Sequence, residues 1–554
     1  MMQHGDLEFR VGRHSIVGPE QANDPAYEKV EEGPKHGAAL SQSGAPTPDS
    51  GRRSGFFTPR DRLEAGTPVP APLGPSLGSC GRARNFAMRA KASSAGATDQ
   101  SAIQAMVTTP LETPPLRRPN LAVVLAAGRS DRLREVTGGG SKALVRVGGM
   151  ALVERAVRTL LAAAIDRVVV VTGYHAGPVG AVAARSGEGR LQVLYAENWE
   201  LGNGASLGAA ERTLDGTASF LVVAADHLFG EGAFRPLLSA SAPACLVDEA
   251  PSSEAWDEGT RVRIRDGRAR AFGKGIDEPA IDCGAFLLTP TVFEAHREAM
   301  AGGDASLAGA ISALAARQPL TVVPLPKGCW WYDVDTPQDL KAARVQLRRS
   351  LVTRADGPVS RYLNRPVSTR MSMILAPLRP SPDLVSVLVA ALGVLAAWLL
   401  AAGEGLAGGL LAQAVSVLDG VDGELARLQI RASPRGALLD GVLDRVVDVA
   451  LVGALGVWAL HAGTTPRTAV VLVAAAAAGS VISMATKDRV WALGLPPGPE
   501  RAIGYLLGGR DGRLLLIALF AVLHRPAFGL AATAIGAWLS AAVRVIAVRR
   551  RSHP

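Results

Sequence analysis

The chain has 554 residues, which is too long for one hydrophobic core, so two or three domains are expected. Its 59 Lys and Arg against 50 Asp and Glu give a formal charge of +9, but the basic residues lie mostly beside apolar segments, which favours charges flanking membrane spans over a nucleic-acid-binding surface. Four widely spaced cysteines without a CxxC pair indicate neither a zinc site nor a disulfide framework, and they fit a reducing cytoplasm.

Residues 1–118 are rich in Pro, Gly, Ser and Ala and show no sustained hydrophobic periodicity, so we predict a disordered tail. The first residues contain no apolar h-region and do not form a secretory signal. A start codon assigned too early is the alternative, with Met88 or Met106 as the true start. We assign this tail no function.

From Leu121 onward, short apolar runs alternate with helical stretches. Three runs are predicted strands: LAVVL from Leu121, RVVVVTG from Arg167, and FLVVAAD, which ends at Asp226. The stretch 151–164 is a predicted helix. This alternation indicates an α/β fold with a parallel sheet covered on both faces. Ligands of such sheets bind beyond the carboxyl ends of the strands, where the loop after Leu125 and Asp226 both lie.

A glycine turn, LAAGRSDRL at 125–133, follows the first strand, and Lys142 comes nine residues after it. Backbone N–H groups of such a turn can bind a triphosphate, while Arg132 and Lys142 offset its charge. The small-residue loop GNGASL at 202–207 can admit a base and a ribose.

Asp226 and Asp335, the latter in WYDVDTPQDL, can jointly hold one Mg²⁺. The alternatives are a turn residue for Asp226 and a helix cap for Asp335. The presence of all these pieces together favours a nucleotide site.

Together these segments resemble the sugar-phosphate nucleotidyltransferase family over residues 119–345. The resemblance implies a Rossmann-like α/β domain that joins an NTP to a sugar phosphate and releases pyrophosphate. It implies triphosphate contacts from Gly128 and the catalytic residues Arg132 and Lys142, nucleoside contacts from Asn203 and Ser206, metal binding by Asp226 and Asp335, and substrate-phosphate binding by Lys274 in the segment 272–286. The family usually has Pro before the lysine, whereas Ser141 precedes Lys142 here.

A basic, helix-prone linker over 346–382 leads into an apolar region over 383–548. Six membrane-spanning helices are predicted at about 384–401, 405–418, 437–460, 467–486, 513–523 and 527–547, of which the fifth is the weakest. The more basic connections fall on one side, and those on the other side carry fewer charges. The positive-inside rule therefore predicts a multi-pass inner-membrane protein whose soluble domain and termini are cytoplasmic.

Four aspartates lie at helical spacing in this apolar region. Asp419 and Asp422 are three residues apart, whereas Asp440 and Asp444 recur every four residues after Gly436. Charged groups inside a membrane are costly and are normally paired or ion-bound, and divalent cations such as Mg²⁺ or Mn²⁺ neutralise carboxylates. The alternative is a solvated polar helix cap. Four acids at this spacing favour a metal site between two helices.

The full pattern, D-x2-D-G-x2-A-R-x8-G-x3-D-x3-D, resembles the defining motif of the CDP-alcohol phosphotransferase family. The resemblance implies an all-α six-helix membrane domain, two bound divalent ions, and release of CMP when an acceptor hydroxyl attacks the alcohol-side phosphate. It implies metal binding by Asp419, Asp422 and Asp440, a general base and further ligand in Asp444, and a CDP site lined by Gly423, Ala426, Arg427 and Gly436.

An acceptor that carries a phosphate needs cations near the metal site. Lys487, Arg489 and Arg510 fall on the same membrane side as the motif and are candidates for this role. The alternative is that they are ordinary charges that anchor the helices in the cytoplasmic leaflet.

The two halves together resemble the fused inositol-1-phosphate cytidylyltransferase/di-inositol-phosphate-phosphate synthase family, and residues 356–370 resemble its linker. The resemblance implies CTP, inositol 1-phosphate and CDP-inositol as substrates, a homodimer formed by the membrane domain, and one metal ion in the soluble domain besides the two in the membrane. The alternatives are a lipid-forming phosphotransferase, a soluble domain that only binds, and a membrane part that only anchors. The intact four-aspartate motif argues against the last.

Overall fold

The computed structural model describes residues 119–129, 131–214, 216–353, 356–493 and 507–551. All of them belong to one compact unit. The predicted tail at 1–118 lies outside the described residues.

Thirteen strands and fifteen α-helices are found in the described part of the chain. The strands are β1 (Leu121–Ala126), β2 (Arg146–Val147), β3 (Met150–Ala151), β4 (Arg167–Thr172), β5 (Leu191–Tyr195), β6 (Phe220–Ala224), β7 (His227–Phe229), β8 (Ala244–Asp248), β9 (Arg261–Arg265), β10 (Arg268–Gly273), β11 (Ile281–Leu288), β12 (Leu320–Pro324) and β13 (Trp331–Asp333). The helices are α1 (Arg134–Thr137), α2 (Leu152–Ala162), α3 (Ala176–Ser186), α4 (Asn203–Gly208), α5 (Ser253–Glu258), α6 (Thr291–Ala301), α7 (Leu307–Arg317), α8 (Pro337–Ser350), α9 (Arg365–Leu375), α10 (Pro382–Ala401), α11 (Gly405–Leu428), α12 (Pro434–His461), α13 (Pro466–Ala492), α14 (Arg510–Val522) and α15 (Pro526–Arg551).

A nine-stranded mixed sheet in the order β5-β4-β1-β6-β11-β8-β12-β10-β9 forms the centre of the soluble half. Strands β5, β4, β1 and β6 are parallel, as the sequence predicts. Strand β11 runs antiparallel to both β6 and β8, so the prediction of a purely parallel sheet is wrong beyond β6. Strand direction depends on the path of the connecting chain, which hydrophobic runs do not encode.

Apolar layers cover both faces of this sheet. Strand β1 is buried along its whole length because Val123 and Leu125 face one layer while Ala122 and Val124 face the other. Side chains of a strand alternate between faces, so a continuous apolar run marks a strand buried on both sides. The carboxyl ends of β1 and β6 are thereby fixed next to each other.

Six long helices, α10 to α15, form the second half. Helices α10, α13 and α15 contain stretches that are long and apolar enough to span a membrane, and the chain is a membrane protein. Several of these helices begin with proline at the first turn, including Pro382 and Pro434, where the missing N–H costs nothing. The predicted spans coincide with these helices, except that α11 continues past residue 418 to Leu428 and so carries both Asp419 and Asp422.

The linker is a π-helical turn at Ser360–Asn364 followed by α9, and it packs against α11. The fully buried Glu424 of α11 accepts hydrogen bonds from Arg365 Nη1 at 2.6 Å, Ser368 Oγ at 2.7 Å and Ser372 Oγ at 2.6 Å. A buried carboxylate is tolerated only when it is paired and hydrogen-bonded. The predicted linker motif thus fixes α9 on the helix that carries the first two motif aspartates.

Candidate functional site

A cavity of about 320 Å³ opens at the carboxyl ends of β1 and β6. Six residues predicted for the nucleotide site line this cavity: Gly128, Arg132, Lys142, Asn203, Asp226 and Asp335. The glycine turn follows β1 and the aspartate follows β6, so the sheet brings together segments that are far apart in sequence. The position matches the ligand-binding edge of open α/β sheets.

Lys142 lies between two carboxylates of this cavity. Ser141, in place of the usual proline, accepts a hydrogen bond from Ala143 N at 3.3 Å and caps a short 3₁₀ turn that begins at Lys142. The ammonium group contacts the carboxylates of Asp226 and Asp335. Burial alone would lower the pKa of Lys142, but the neighbouring carboxylates outweigh burial and raise it above its ordinary value. Lys142 therefore stays cationic and can neutralise phosphate charge.

Arg132 is the second cation of the cavity. Its Nη2 lies 2.7 Å from Asp335 Oδ2, and the side chain is largely exposed. Asp335 therefore has both carboxylate oxygens on cations, one on Arg132 and one on Lys142. The prediction that Asp335 binds metal stays a prediction.

Sequence reasoning missed a cluster of Asp226, His227 and Asp333, whose ligand atoms lie within 4.8 Å of one another. His227 Nδ1 lies 2.9 Å from Asp226 Oδ1 and 3.8 Å from Asp333 Oδ1. The cluster forms because β7 pairs antiparallel with β13, which sets His227 opposite Asp333. No local pattern reveals that pairing, although His227 adjoins Asp226 and Asp333 lies in the quoted WYDVD segment.

The charges of this cluster depend on one another. Burial alone would lower the pKa of His227, but Asp333 and Asp226 raise it to about 9. Burial raises the pKa of Asp333 to about 6, against the opposing effect of His227. Asp333 Oδ1 is covered and has no hydrogen-bond partner. The carboxylates of Asp226 and Asp333 suit a divalent cation, and His227 would release its proton to join them as a ligand.

Two predicted residues lie apart from this cavity. Ser206 is buried in α4, and its hydroxyl donates to the Gly202 carbonyl at 3.4 Å. Lys274 follows β10 and is exposed. Neither lines the cavity, so their predicted contacts with nucleoside and substrate phosphate remain predictions.

The helical half contains a second acidic cluster. Asp419 of α11 and Asp440 and Asp444 of α12 have carboxylate atoms within 4.8 Å of one another. Asp422 lies one turn along α11 and accepts hydrogen bonds from Ser386 Oγ of α10 and from Gly423 N. The predicted convergence of the motif aspartates from two helices is present.

Arg510, the first residue of α14, reaches into this cluster. Its Nη1 lies 2.5 Å from Asp419, its Nη2 lies 2.9 Å from Asp444, and its Nε lies 3.3 Å from Asp448. Only about 10 Å³ of cavity remains beside these groups, about the space of one water. The predicted acceptor-binding cation therefore contacts the motif carboxylates directly.

A fifth acid, Asp448, extends the four-residue series and was missed. It is buried and accepts from Arg513 Nη2 at 2.7 Å, besides its contact with Arg510. The spacing from Asp440 through Asp444 was a usable signal for it. Its partner Arg513 lies one helical turn beyond Arg510.

The remaining predicted residues occupy different places in this half. Gly423, Ala426 and Arg427 lie on the last turns of α11, and Arg427 Nη2 donates to the Leu351 carbonyl at 3.1 Å. Gly436 lies in the first turn of α12, where its N–H bonds the capping Ser433 Oγ at 3.1 Å. Lys487 and Arg489 lie near the end of α13, away from the residues that line the acidic cluster.

The donor sets of both clusters fit divalent cations. Each offers oxygen or imidazole ligands within reach of one ion, and in each a protein cation, Lys142 or Arg510, already lies against the carboxylates. Hard cations prefer such ligands, and carboxylates this close repel one another without one.

Residues 122–261 match the MobA-like NTP transferase domain, and residues 380–546 match the CDP-alcohol phosphatidyltransferase family. The fold and the two sites thus define a bifunctional membrane transferase with a nucleotidyltransferase domain and a CDP-alcohol phosphotransferase domain.

The chain is 38% identical to a bifunctional IPC transferase and DIPP synthase of Rubrobacter xylanophilus, over 77% of this chain and 96% of the relative. It is 34% identical to an enzyme of the same name from Aquifex aeolicus, over 73% of this chain and 92% of the relative. A solved structure of the inositol-1-phosphate CTP transferase from T. maritima aligns with 41% of this chain and 95% of its own at 24% identity, with a TM-score of 0.38. The chain belongs to the family of bifunctional IPC transferases and DIPP synthases.

Proposed function

We propose that the soluble domain makes CDP-inositol from CTP and inositol 1-phosphate, and that the membrane domain transfers its phosphoinositol group to a second inositol 1-phosphate. The observation that supports the proposal is that one chain of this family contains two separate candidate sites, the cavity lined by Lys142 and the acidic cluster around Asp444. The product of the first site is a substrate of the kind that the second site takes. The final product, after dephosphorylation, is a di-inositol phosphate osmolyte.

In the first reaction, a phosphate oxygen of inositol 1-phosphate attacks the α-phosphorus of CTP, and pyrophosphate leaves. Lys142 and Arg132 offset the charge of the triphosphate and of the departing pyrophosphate. Gly128 and Asn203 both line the cavity, and a Cβ at Gly128 would lie 4.0 Å from Asn203 Oδ1, so the backbone at Gly128 can bind a phosphate next to Asn203. Asp226, His227 and Asp333 hold one Mg²⁺ or Mn²⁺, with Asp335 as the alternative ligand.

In the second reaction, a hydroxyl oxygen of the acceptor attacks the inositol-side phosphorus of CDP-inositol, and CMP leaves. Asp444 takes the hydroxyl proton as the general base. Its carboxylate lies within 4.8 Å of the carboxylates of Asp419 and Asp440. Gly423, Ala426, Arg427 and Gly436 hold the CDP group. Arg510 binds the acceptor phosphate, with Lys487 and Arg489 as further candidates.

Two divalent ions held by Asp419, Asp422, Asp440 and Asp444 neutralise pyrophosphate charge when bound. Arg510 contacts two of these carboxylates, so we infer that its side chain shifts from them to the acceptor phosphate when substrate binds. The same carboxylates then remain paired with cations throughout.

We further propose that both termini and the soluble domain lie in the cytoplasm, and that the membrane domain forms a homodimer. The basic ends of α13 and α15 and the Arg431–Arg435 connection support this orientation. We also propose that the soluble domain covers residues 119–345, the linker 346–382 and the membrane domain 383–548.

The test is an assay of membranes that contain the full chain, supplied with CTP, Mg²⁺ and inositol 1-phosphate. We expect pyrophosphate release, transient CDP-inositol and then CMP with a water-soluble di-inositol product. Turnover of supplied CDP-alcohols without pyrophosphate release would assign the soluble domain another substrate or a binding role. A phosphorus product that partitions into organic solvent would show a lipid-forming enzyme instead.

A further inference from the structure

Arg155 of helix α2, in the soluble domain, contacts the end of helix α11 in the membrane domain. Its side chain is buried, and its Nη2 donates to the Val147 carbonyl at 2.9 Å and to the Leu428 carbonyl at 3.0 Å. Leu428 is the last residue of α11. The last carbonyls of a helix lack intrahelical partners and carry partial negative charge, so a guanidinium there is favourable.

Arg155 is charged in this position. Burial lowers its pKa to about 10, which still leaves the guanidinium protonated at neutral pH. Its neighbour Glu154 is also buried and binds Arg379 of the linker, whose Nη2 also lies 3.3 Å from the Gly149 carbonyl. Consecutive residues of α2 thus hold the end of α11 and the linker that precedes α10.

The backbones of the soluble domain and of the linker approach closely at this interface. Gly149 has φ of +79°, and a Cβ there would lie 2.3 Å from the Ala376 carbonyl oxygen. Gly148 has φ of +57°, and an added Cβ there would lie 2.7 Å from Leu347 Cδ2 and 3.1 Å from Leu428 Cδ2. Only glycine fits such contacts.

A buried apolar cluster surrounds these polar contacts. Val147, Leu152 and Leu347 of the soluble half belong to the same cluster as Val421, Leu425 and Leu428 of α11. Tightly packed interiors transmit displacements, so the last two turns of α11 move with the soluble domain. Asp422 lies on these two turns, and Asp419 lies on the turn before them.

We propose that Arg155 is a positioning residue for the phosphotransfer site: by binding the end of α11, the soluble domain fixes the two motif aspartates of that helix against those of α12. The inference rests on the proposed phosphotransfer reaction. The phosphotransfer site of the membrane domain then depends on contacts that the soluble domain supplies. The two domains are therefore not independent enzymes that happen to be joined in one chain.

The test compares Arg155→Met, Arg155→Lys and the exposed control Arg185→Met in the full chain. CMP release is measured from supplied CDP-inositol and inositol 1-phosphate as a function of Mg²⁺ concentration, and pyrophosphate release from CTP is measured in parallel. Hydrogen exchange of the peptide that covers Leu418–Gln429 gives a readout independent of activity.

For Arg155→Met we expect the half-saturating Mg²⁺ for CMP release to rise roughly tenfold, as for loss of an outer-shell partner. We also expect faster exchange in α11, unchanged pyrophosphate release, and partial recovery in Arg155→Lys. The control variant should match the parent chain in every measurement.

Unchanged Mg²⁺ dependence and unchanged exchange in Arg155→Met would overturn the proposal. So would a fall of both activities in proportion, with no shift in Mg²⁺ dependence, since that pattern reports loss of folded protein. If the parent chain releases no CMP from any CDP-alcohol, the proposed function fails, and the exchange of α11 still decides whether Arg155 orders that helix.

Discussion

Asp444 tests the phosphotransfer site most directly. Its carboxylate lies 2.9 Å from Arg510 and within 4.8 Å of the ligand atoms of Asp419 and Asp440. Loss of a general base typically costs a factor of 10² to 10⁴. For Asp444→Asn we therefore expect CMP release from supplied CDP-inositol to fall by roughly 10²-fold or more, with pyrophosphate release from CTP unchanged.

The exposed Asp488 at the end of α13 offers a matched control, and Asp488→Asn should leave both activities as they are. An Asp444→Asn variant that keeps its CMP release would remove this residue from the role of base.

The metal ligands of the soluble site can be ranked by substitution. Asp333 Oδ1 lies near Asp226 and His227 without a hydrogen-bond partner, whereas both oxygens of Asp335 face Lys142 or Arg132. We expect Asp333→Asn to raise the Mg²⁺ concentration for half-maximal pyrophosphate release roughly tenfold. Asp335→Asn should instead weaken CTP saturation with a nearly unchanged Mg²⁺ requirement. The opposite ranking would restore Asp335 as the ligand.

The sequence could predict those site residues that lie close to one another along the chain. Asp419, Asp440 and Asp444 belong to a motif with helical spacings, and the structure brings their carboxylates together from two helices, with Asp422 one turn along α11 from Asp419. His227 and Asp333 escaped prediction because they meet through the pairing of β7 with β13, two short strands about a hundred residues apart. Residue type and spacing carry no information about such a contact.

A buried ion pair joins helices α12 and α14. Arg513 is almost completely buried and donates to Asp448 at 2.7 Å, and Arg510 adds a second cation to the same carboxylate. Removal of one partner from a buried pair typically costs about 3 kcal/mol or more. Asp448→Asn should therefore lower the thermal unfolding midpoint of the detergent-solubilised chain.

The exposed control Asp488→Asn should keep the parental midpoint in the same thermal scan. If Asp448→Asn unfolds at the parental temperature, the pair contributes specificity of packing but no net stability.

Strands that are marked by their own apolar residues could be predicted from the sequence. Helix ends and strand directions that depend on contacts with other elements could not. The apolar runs at β1, β4 and β6 are strands at the predicted places. The predicted span ends near 418 because apolar length defined it, and the helix continues to Leu428, as the helical spacing of Asp419 and Asp422 requires; the hydrogen bonds of Glu424 to α9 lie on this continuation. The antiparallel direction of β11 likewise depends on tertiary connections.

Orientation in the membrane is a property of the whole molecule. Ala462, exposed between α12 and α13, and Asp488, exposed at the other end of α13, lie at opposite ends of one apolar helix. With a membrane-impermeant maleimide on intact cells, we expect Ala462→Cys to be labelled and Asp488→Cys to be labelled only after lysis. The partly buried native Cys329 should also react only after lysis. Labelling of Asp488→Cys in intact cells would invert the proposed topology.

The two-domain plan was predictable from the sequence because composition changes sharply along the chain. The interface between the domains was not, since Arg155 and Glu154 lie inside an ordinary amphipathic helix, and their partners Leu428 and Arg379 follow more than two hundred residues later.

The apolar cluster shared by the two domains affects how the protein is made. The soluble domain leaves the ribosome before α11 has been synthesised, so Val147 and Leu347 lack their partners Val421 and Leu425 until that helix follows. Leu133, the neighbour of Arg132 in the nucleotide cavity, belongs to the same cluster. The soluble domain therefore carries, next to its nucleotide cavity, an apolar surface whose packing partners are translated after it.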